Sequence, residues 1–286
     1  FAGKLLYARM RVGGLPMGRW AALADSRAIE AETPWQDRGL PATLHGLLSR
    51  TADRFPDHKA VSYQLLSGAT DKAETLTWRE LHGRVCQAAN LFRSLGVGET
   101  DVVAYILPNA NETVVTLLGG CFAGIANPIN PLLDPEQIAA ILREVNAKAV
   151  VTIKGFPKTD VAQKVAAAVG MASNVEKVFE VDLLKYLTPP KSWIVPLIRP
   201  KNPVSHNAKM LDFNAELAKQ PTTLSFADSE GDRVCAYFHT GGTTGMPKVA
   251  QHKYSGMIYN GWLGAELLFS HEDNAICPLP LFHVFA

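Results

Sequence analysis

The chain has 286 residues, of which 47% are hydrophobic and 19% are charged, and this apolar content excludes a wholly disordered protein. Lys and Arg together number 28 and Asp and Glu number 27, so the formal net charge of +1 gives no electrostatic reason to expect a nucleic-acid partner. The four cysteines are far apart in the sequence, without a CxxC motif or a Cys/His cluster at metal-ligand spacing, which favours a reducing compartment over a disulfide framework or a zinc site.

The first 39 residues form an N-terminal extension that is basic near its start. It contains no continuous apolar segment followed by a small-residue cleavage site, so we expect no secretory signal. The longest apolar run, residues 114–126, is too short to span a bilayer. We therefore expect a soluble, cytoplasmic protein. Because the chain starts at Phe1 and stops directly after an apolar run, we also expect it to be part of a longer chain.

After Leu40, helix and strand signals alternate along the sequence. The helices begin at recognisable caps: Thr77 with Glu80 three residues later, and Asp134 followed by Pro135 and Gln137. Helices are predicted over residues 78–95, 112–122, 135–145 and 161–168. Short apolar runs predict buried strands at residues 102–107, 149–153 and 175–181. Strands separated by helices of this length predict an α/β fold with a parallel sheet and right-handed crossovers.

Residues 187–220 interrupt this alternation and contain five prolines among basic residues. We interpret them as a Pro-rich surface insertion. The apolar stretch Trp193–Ile198 within it is a candidate membrane contact, although Pro196 disfavours an amphipathic helix there.

Residues 234–248 carry the strongest functional signal. A β-prone run leads into a loop with three glycines and three threonines, closed by Pro247 and Lys248. Glycines let backbone amides approach phosphate oxygens closely, threonine hydroxyls donate hydrogen bonds, and a lysine adds a full positive charge. The spacing fits neither GxxxxGK[ST] nor GxGxxG, and the alternative is a flexible turn between strands. The candidate phosphate-binding residues are Thr240, Gly241, Gly242, Thr243, Thr244, Gly245 and Lys248.

The segment Thr240–Lys248 resembles the signature loop of the adenylate-forming (AMP-binding) superfamily, usually [ST][SG]G[ST]TGxPK followed by Gly; this chain departs from it at Val249. Further similarity covers nearly the whole chain after Leu40, and the loop variant resembles that of acyl-CoA synthetases such as the fatty-acid–CoA ligases. The landmarks are residues 52–57, 76–81, 106–109 and 123–131. The resemblance implies that residues 40–286 are the first part of a large N-terminal domain built of layered parallel-sheet subdomains, with the small C-terminal domain absent.

The last nine residues, 278–286, are similar to the family's PLxFHxxG/A segment. We expect a strand at Asn274–Cys277 to deliver Phe282 and His283 to a loop at the sheet edge, where α/β proteins bind ligands. The resemblance implies that His283 is the catalytic residue at the carboxylate and that Phe282 and Phe285 line the acyl pocket.

The resemblance implies an enzyme with two half-reactions: a carboxylic acid reacts with ATP to give acyl-AMP and pyrophosphate, and a thiol, usually coenzyme A, displaces AMP. ATP, Mg²⁺ and coenzyme A are the implied cofactors. The alternatives are an adenylation domain that loads a carrier protein and a nucleotide-binding fragment without activity. The adenine, ribose and C-terminal lysine contacts of the family fall outside this sequence, so the chain alone is expected to be inactive.

The remaining histidines and cysteines give weaker signals. His239 is expected to pack or to form hydrogen bonds locally, and for His252 a structural role is expected in preference to a catalytic one. Cys235 and Cys277 lie in predicted strands and are interpreted as core residues. No pattern of catalytic or metal-binding residues is recognised in the sequence around the other histidines, which are His45, His58, His82, His206 and His271. The sequence indicates neither the identity of the acid nor the oligomeric state.

Overall fold

The structure, a computed structural model, describes residues 23–200, 206–240, 248–267 and 273–284. The strands, in chain order, are β1 (Lys59–Gln64), β2 (Ala73–Thr77), β3 (Val102–Ile106), β4 (Ile125–Pro128), β5 (Ala147–Ile153), β6 (Lys177–Val181), β7 (Lys209–Asp212), β8 (Val234–Thr240) and β9 (Lys248–Lys253). The helices are α1 (Leu23–Glu32), α2 (Leu44–Arg54), α3 (Trp78–Ser94), α4 (Asn111–Ala123), α5 (Pro135–Glu144), α6 (Val161–Gly170), α7 (Lys191–Ile198), α8 (Phe213–Leu217) and α9 (Tyr254–Leu267). Two short 3₁₀ helices cover Trp35–Arg38 and Leu183–Tyr186.

A seven-stranded sheet forms the centre of the molecule, in the order β7-β6-β5-β3-β4-β8-β9. Its neighbouring strands are parallel from β7 to β8, and only β9 runs antiparallel to its neighbour. The strands β1 and β2 form a separate antiparallel hairpin. The predicted α/β fold with a parallel sheet is confirmed.

Helices cover both faces of the sheet. One buried cluster contains side chains from α2, α3, α4 and α8, and a second cluster contains side chains from α5 and α6. The central strand β3 contributes to both, with Val103 and Tyr105 in the first cluster and Val102, Ala104 and Ile106 in the second. Every residue of β3 is buried, as predicted from its uninterrupted apolar sequence.

The predicted helix starts are confirmed because they depend on local hydrogen bonds. The Thr77 amide donates to a Glu80 carboxylate oxygen at 2.8 Å, and the Glu80 amide donates to the Thr77 hydroxyl. At the start of α5 the Asp134 amide donates to the Gln137 side chain at 3.1 Å. After α3, Gly96 has φ +77°, a left-handed conformation that glycine adopts without strain.

The second half of residues 187–220 is not the surface insertion that we expected. Strand β7 pairs with β6 at the edge of the sheet, and Phe213 of α8 is fully buried against Phe92 and Phe179. The sequence missed this part because β7 has four residues and is stabilised by a neighbouring strand and by aromatic contacts from distant parts of the chain.

In the first half of the same segment, α7 forms despite Pro196. It exposes four large apolar side chains, namely Trp193, Ile194, Leu197 and Ile198. Its basic neighbours Lys191 and Arg199 lie in ion pairs with Asp71 and Asp182. The membrane contact stays a prediction. Among the described residues, no helix combines the length and the apolar character needed to cross a membrane.

Candidate functional site

Strands β8 and β9 form an antiparallel hairpin around the predicted phosphate loop. The last residue of β8, Thr240, is the register partner of the first residue of β9, Lys248. Strand β8 therefore leads into the loop as the β-prone sequence predicted, and the Lys248 side chain is exposed where the hairpin opens. The intervening loop residues, Gly241, Gly242, Thr243, Thr244 and Gly245, lie outside the described residues.

The hairpin opens at the carboxyl-terminal edge of the parallel sheet. Because β8 runs parallel to β4, Thr240 lies on the same edge as the ends of β3, β4 and β5. The fully buried Asn127 of β4 donates a 3.0 Å hydrogen bond from Nδ2 to the Tyr237 carbonyl of β8. The backbone pairing between β4 and β8 is short. This side-chain hydrogen bond adds to it and helps to fix the position of β8.

Arg233, immediately before β8, attaches the hairpin to the end of α4. Its guanidinium donates to the carbonyl oxygens of Gly124 at 2.7 Å and Cys121 at 2.8 Å. It also donates to the Tyr254 hydroxyl at 2.6 Å, and that hydroxyl donates to the Cys121 carbonyl at 2.8 Å. Carbonyl groups at the end of a helix have no intrahelical partner, so these bonds satisfy them and connect β8, α4 and α9.

The segment that carries Phe282 and His283 is held at the end of β3. The Tyr105 hydroxyl donates to the Leu281 carbonyl at 2.8 Å. The Asn109 side chain donates to the Leu279 carbonyl at 2.9 Å and accepts from the Leu281 amide at 2.8 Å. Phe282 and His283 therefore lie next to the carboxyl end of β3, at the edge where the sequence placed them. Phe285 lies outside the described residues.

The predicted strand at Asn274–Cys277 is wrong. This segment has no regular secondary structure, and Ile276 is 91% exposed. The apolar sequence resembles that of a strand, but within the described residues no strand pairs with it, and its anchoring hydrogen bonds begin only at Leu279. Cys277 is consequently exposed rather than part of the core, whereas Cys235 in β8 is buried as predicted.

The two parts of the site lie close together along one edge of the sheet. The helix that follows β3, α4, packs on one face of the sheet, and the helix that follows β4, α5, packs on the other. In open α/β sheets, ligands bind outside the carboxyl ends of the strands. Strands β3 and β8 are separated only by β4, so they lie about 10 Å apart at ~4.8 Å per strand. Asn109 follows the end of β3 by three residues, and Thr240 is the last residue of β8.

The histidines near the loop, other than His283, have different environments. His252 of β9 packs edge-to-face on Phe238 with ring centroids 5.1 Å apart, which fits the expected structural role. His239 is partly buried in β8, and His271 lies outside the described residues.

Sequence reasoning missed the groups that position the site, namely Tyr105, Asn109 and Arg233. Residues 106–109 were recognised as a landmark without a role for Asn109, although an asparagine directly after a buried strand and a proline is a usable signal. No local pattern pointed to Arg233, because its partners are carbonyl groups more than 100 residues away.

We expect Asn109→Ala to raise the hydrogen-exchange rate of the Leu281 amide roughly 30-fold, because two hydrogen bonds of ~1 kcal/mol each are lost. Amide exchange followed by mass spectrometry or NMR measures this. Asn130→Ala is the matched control, since Asn130 follows β4 and its side chain accepts a hydrogen bond from the nearby Leu132 amide at 2.9 Å. Equal protection of Leu281 in both variants would contradict the positioning role.

The chain is similar to enzymes that activate carboxylic acids. Residues 48–286 match the family described as AMP-binding enzyme. A marinolic acid–CoA ligase of Pseudoalteromonas sp. (strain SANK 73390) is 30% identical over 273 residues, covering 92% of this chain and 38% of that enzyme. A long-chain-fatty-acid–CoA ligase of Bacillus subtilis (strain 168) is 26% identical, covering 85% of this chain and 42% of that enzyme.

The fold is also that of a solved ligase structure. The anthranilate CoA ligase AuaEII, crystallised in complex with anthranoyl-AMP, superposes with a TM-score of 0.59 at 22% identity, covering 80% of this chain and 38% of that one. The chain thus spans about two fifths of the length of these relatives, from 38% to 42%.

Proposed function

The chain belongs to the AMP-binding family of adenylate-forming enzymes, and on that premise we propose that its protein joins a carboxylic acid to coenzyme A through an acyl-AMP intermediate. The observation that carries the proposal is the convergence of two parts of the sequence at one sheet edge. The hairpin that presents Lys248 and the segment that presents His283 both lie at the carboxyl ends of the parallel strands.

In the first half-reaction a carboxylate oxygen attacks the α-phosphorus of ATP. A carboxylate–phosphorus bond forms, the bond from that phosphorus to the bridging oxygen breaks, and the electron pair leaves with pyrophosphate. The step requires no protein nucleophile; it requires in-line placement of two anions and neutralisation of the charge on the leaving group. A thiol then attacks the acyl carbon and releases AMP.

We assign the leaving-group end to Thr240, Lys248 and the loop between them. The ammonium group of Lys248 is exposed at the mouth of the hairpin, within reach of a polyphosphate held by backbone amides. Mg²⁺, when bound, would supply further positive charge at the leaving group, and we assign no described residue to it.

We assign the carboxylate end to His283, with Phe282 and Phe285 as walls of the acyl pocket. An imidazole donates a hydrogen bond to a carboxylate or positions it without taking part in bond formation. The Tyr105 and Asn109 hydrogen bonds fix the backbone before this histidine, which supports a positioning function. The relatives named for marinolic and long-chain fatty acids support a fatty or related organic acid as the substrate.

Carboxylate-dependent ATP–pyrophosphate exchange tests the proposal. The complete protein, incubated with ATP, Mg²⁺, labelled pyrophosphate and a panel of fatty and aryl acids, should exchange label into ATP only when an accepted acid is present. Exchange at the same rate without any carboxylate would overturn the ligase proposal. Formation of the CoA thioester by the same sample separates the CoA ligase from an adenylation domain that loads a carrier protein. The cytoplasmic location stays a prediction.

A further inference from the structure

Away from the sheet edge, helices α2 and α3 bring two histidines and a cysteine together. His45 lies on α2, and His82 and Cys86 lie one turn apart on α3. One ligand atom from each residue lies within 4.8 Å of the other two. His82 and Cys86 are four positions apart, but no local pattern indicates the cluster, because His45 is 37 positions from His82 and becomes its neighbour only when the two helices pack.

A carboxylate supports one histidine of the cluster, as carboxylates commonly do for metal-binding histidines. The Asp228 carboxylate lies 3.1 Å from His45 Nδ1 and accepts from the Thr43 hydroxyl at 2.6 Å. A carboxylate at Nδ1 holds the proton on that nitrogen and leaves the Nε2 lone pair directed at the cluster. His45 Nε2 and His82 Nε2 both face the Ser49 hydroxyl, at 3.2 Å and 2.9 Å.

The spacing of the donor atoms matches a tetrahedral site. With Zn–N of about 2.0–2.1 Å and Zn–S of about 2.3 Å, the edges of a tetrahedron are roughly 3.3 Å for N···N or N···O and about 3.6 Å for N···S. Cys86 Sγ lies 3.6 Å from His82 Nε2, and Ser49 Oγ lies 3.2 Å from His45 Nε2 and 2.9 Å from His82 Nε2, which are three edges of such a tetrahedron. The ligand atoms of His45, His82 and Cys86 all lie within 4.8 Å of one another, so a small closing movement brings them to one ion.

We propose that His45, His82 and Cys86 bind one zinc ion, with the Ser49 hydroxyl or a water molecule as the fourth ligand. The ion displaces the thiol proton of Cys86, which is released to solvent, and forms bonds to a thiolate sulfur and two neutral imidazole nitrogens. His45 is 22% exposed and provides a path for the ion, while Cys86 is fully buried. The site would join α2 to α3 beside the sheet, separate from the sheet edge at which His283 lies.

Burial shifts the pKa values of two side chains in the metal-free cluster. Burial, together with the neighbouring His45, lowers the pKa of His82. Burial raises the pKa of the Cys86 thiol to about 11. The alternative is a metal-free hydrogen-bonded chain from Asp228 through His45 and Ser49 to His82.

Titration of the chelator-treated complete protein with Co²⁺, a spectroscopic substitute for zinc, tests the proposal. We expect one equivalent of Co²⁺ to produce a thiolate charge-transfer band and the visible bands of a tetrahedral ion, both abolished by zinc. Cys86→Ser should remove the charge-transfer band. Asp228→Asn should weaken zinc affinity about 10- to 100-fold, because it removes the carboxylate behind His45.

Matched controls make the test specific. Cys277→Ser removes an exposed cysteine and His58→Gln removes an exposed histidine outside the cluster, and both variants should retain full Co²⁺ binding. Circular dichroism of each metal-free variant shows that it is folded. No stoichiometric binding by the wild-type protein, or a charge-transfer band that persists in folded Cys86→Ser, would leave the hydrogen-bonded chain as the explanation and overturn the proposal.

Discussion

We expect Lys248→Ala to slow carboxylate-dependent ATP–pyrophosphate exchange by about 100- to 1000-fold, the usual effect of removing one group that stabilises charge in the transition state. In the proposed reaction, negative charge accumulates on the departing pyrophosphate. Lys248 is at the first position of β9, paired with Thr240 where the hairpin opens, so we expect its ammonium group to reach the phosphates of bound ATP. Initial exchange rates at saturating ATP and acid provide the measurement.

Lys253→Ala is the matched control for this prediction. Lys253 is the last residue of the same strand and is also exposed, but it lies at the end of the hairpin away from the loop, opposite Val234. Its replacement should leave the exchange rate within about twofold, since it removes the same charge from a position far from the phosphates. Equal losses in the two variants would indicate a general effect of surface charge and contradict the role of Lys248.

We expect Lys185→Met to lower the free energy of unfolding by about 3 kcal/mol, because it leaves a buried carboxylate without its cation. Glu112, in the first turn of α4, is 2% exposed. Lys185 Nζ lies 2.5 Å from one Glu112 oxygen and 2.9 Å from a Glu74 oxygen. The Tyr186 hydroxyl donates to Glu112 at 2.6 Å, and Asn214 also donates to it.

The same lysine controls the charge of Glu74. Burial alone would raise the pKa of this carboxyl, but hydrogen bonds from Lys185 and Asn111 and the charges of Lys185 and Arg84 outweigh it and lower the pKa to about 2. The cluster connects the β1–β2 hairpin, α4 and the 3₁₀ helix at Leu183–Tyr186. Since α4 begins two residues after Asn109, loss of the cluster also loosens the segment that positions His283.

Urea unfolding followed by circular dichroism measures this prediction. Lys219→Met is the control: Lys219 is 63% exposed and pairs only with Glu216 three residues earlier, so its loss should cost less than ~1 kcal/mol. If Lys185→Met proved as stable as Lys219→Met, the buried Glu112 would be compensated by Tyr186 and Asn214 alone, contrary to our expectation.

The elements predicted correctly from the sequence depend on neighbouring residues. Thr77 and Glu80 form a capping box because three residues separate them, and β3 is buried on both faces because its five residues are all apolar. The hairpin that presents Lys248 was predicted as a strand leading into a Gly/Thr loop for the same reason. These patterns, with the landmarks in order, were sufficient for the α/β fold and for the family.

The predictions that failed concern residues whose partners lie far away in the sequence. Asn274–Cys277 has the composition of a strand, but a strand also requires a neighbour, and composition does not supply one. Strand β7 was missed for the opposite reason. Its four residues give a weak strand signal, but they pair with the edge of β6. In both cases, pairing rather than propensity decided the structure.

The sequence by itself determined the alternation of helices and strands that defines the α/β class, the Gly/Thr loop after Thr240 and the family to which the chain belongs, because short-range hydrogen bonds and apolar periodicity specify them. Only the tertiary structure decided which side chains meet: Asn109 with the backbone before His283, Lys185 with Glu112, and His45 with His82 and Cys86. Those contacts form when hydrophobic burial packs helices onto the two faces of the sheet. Because the partners are far apart in the sequence, no local pattern identifies them.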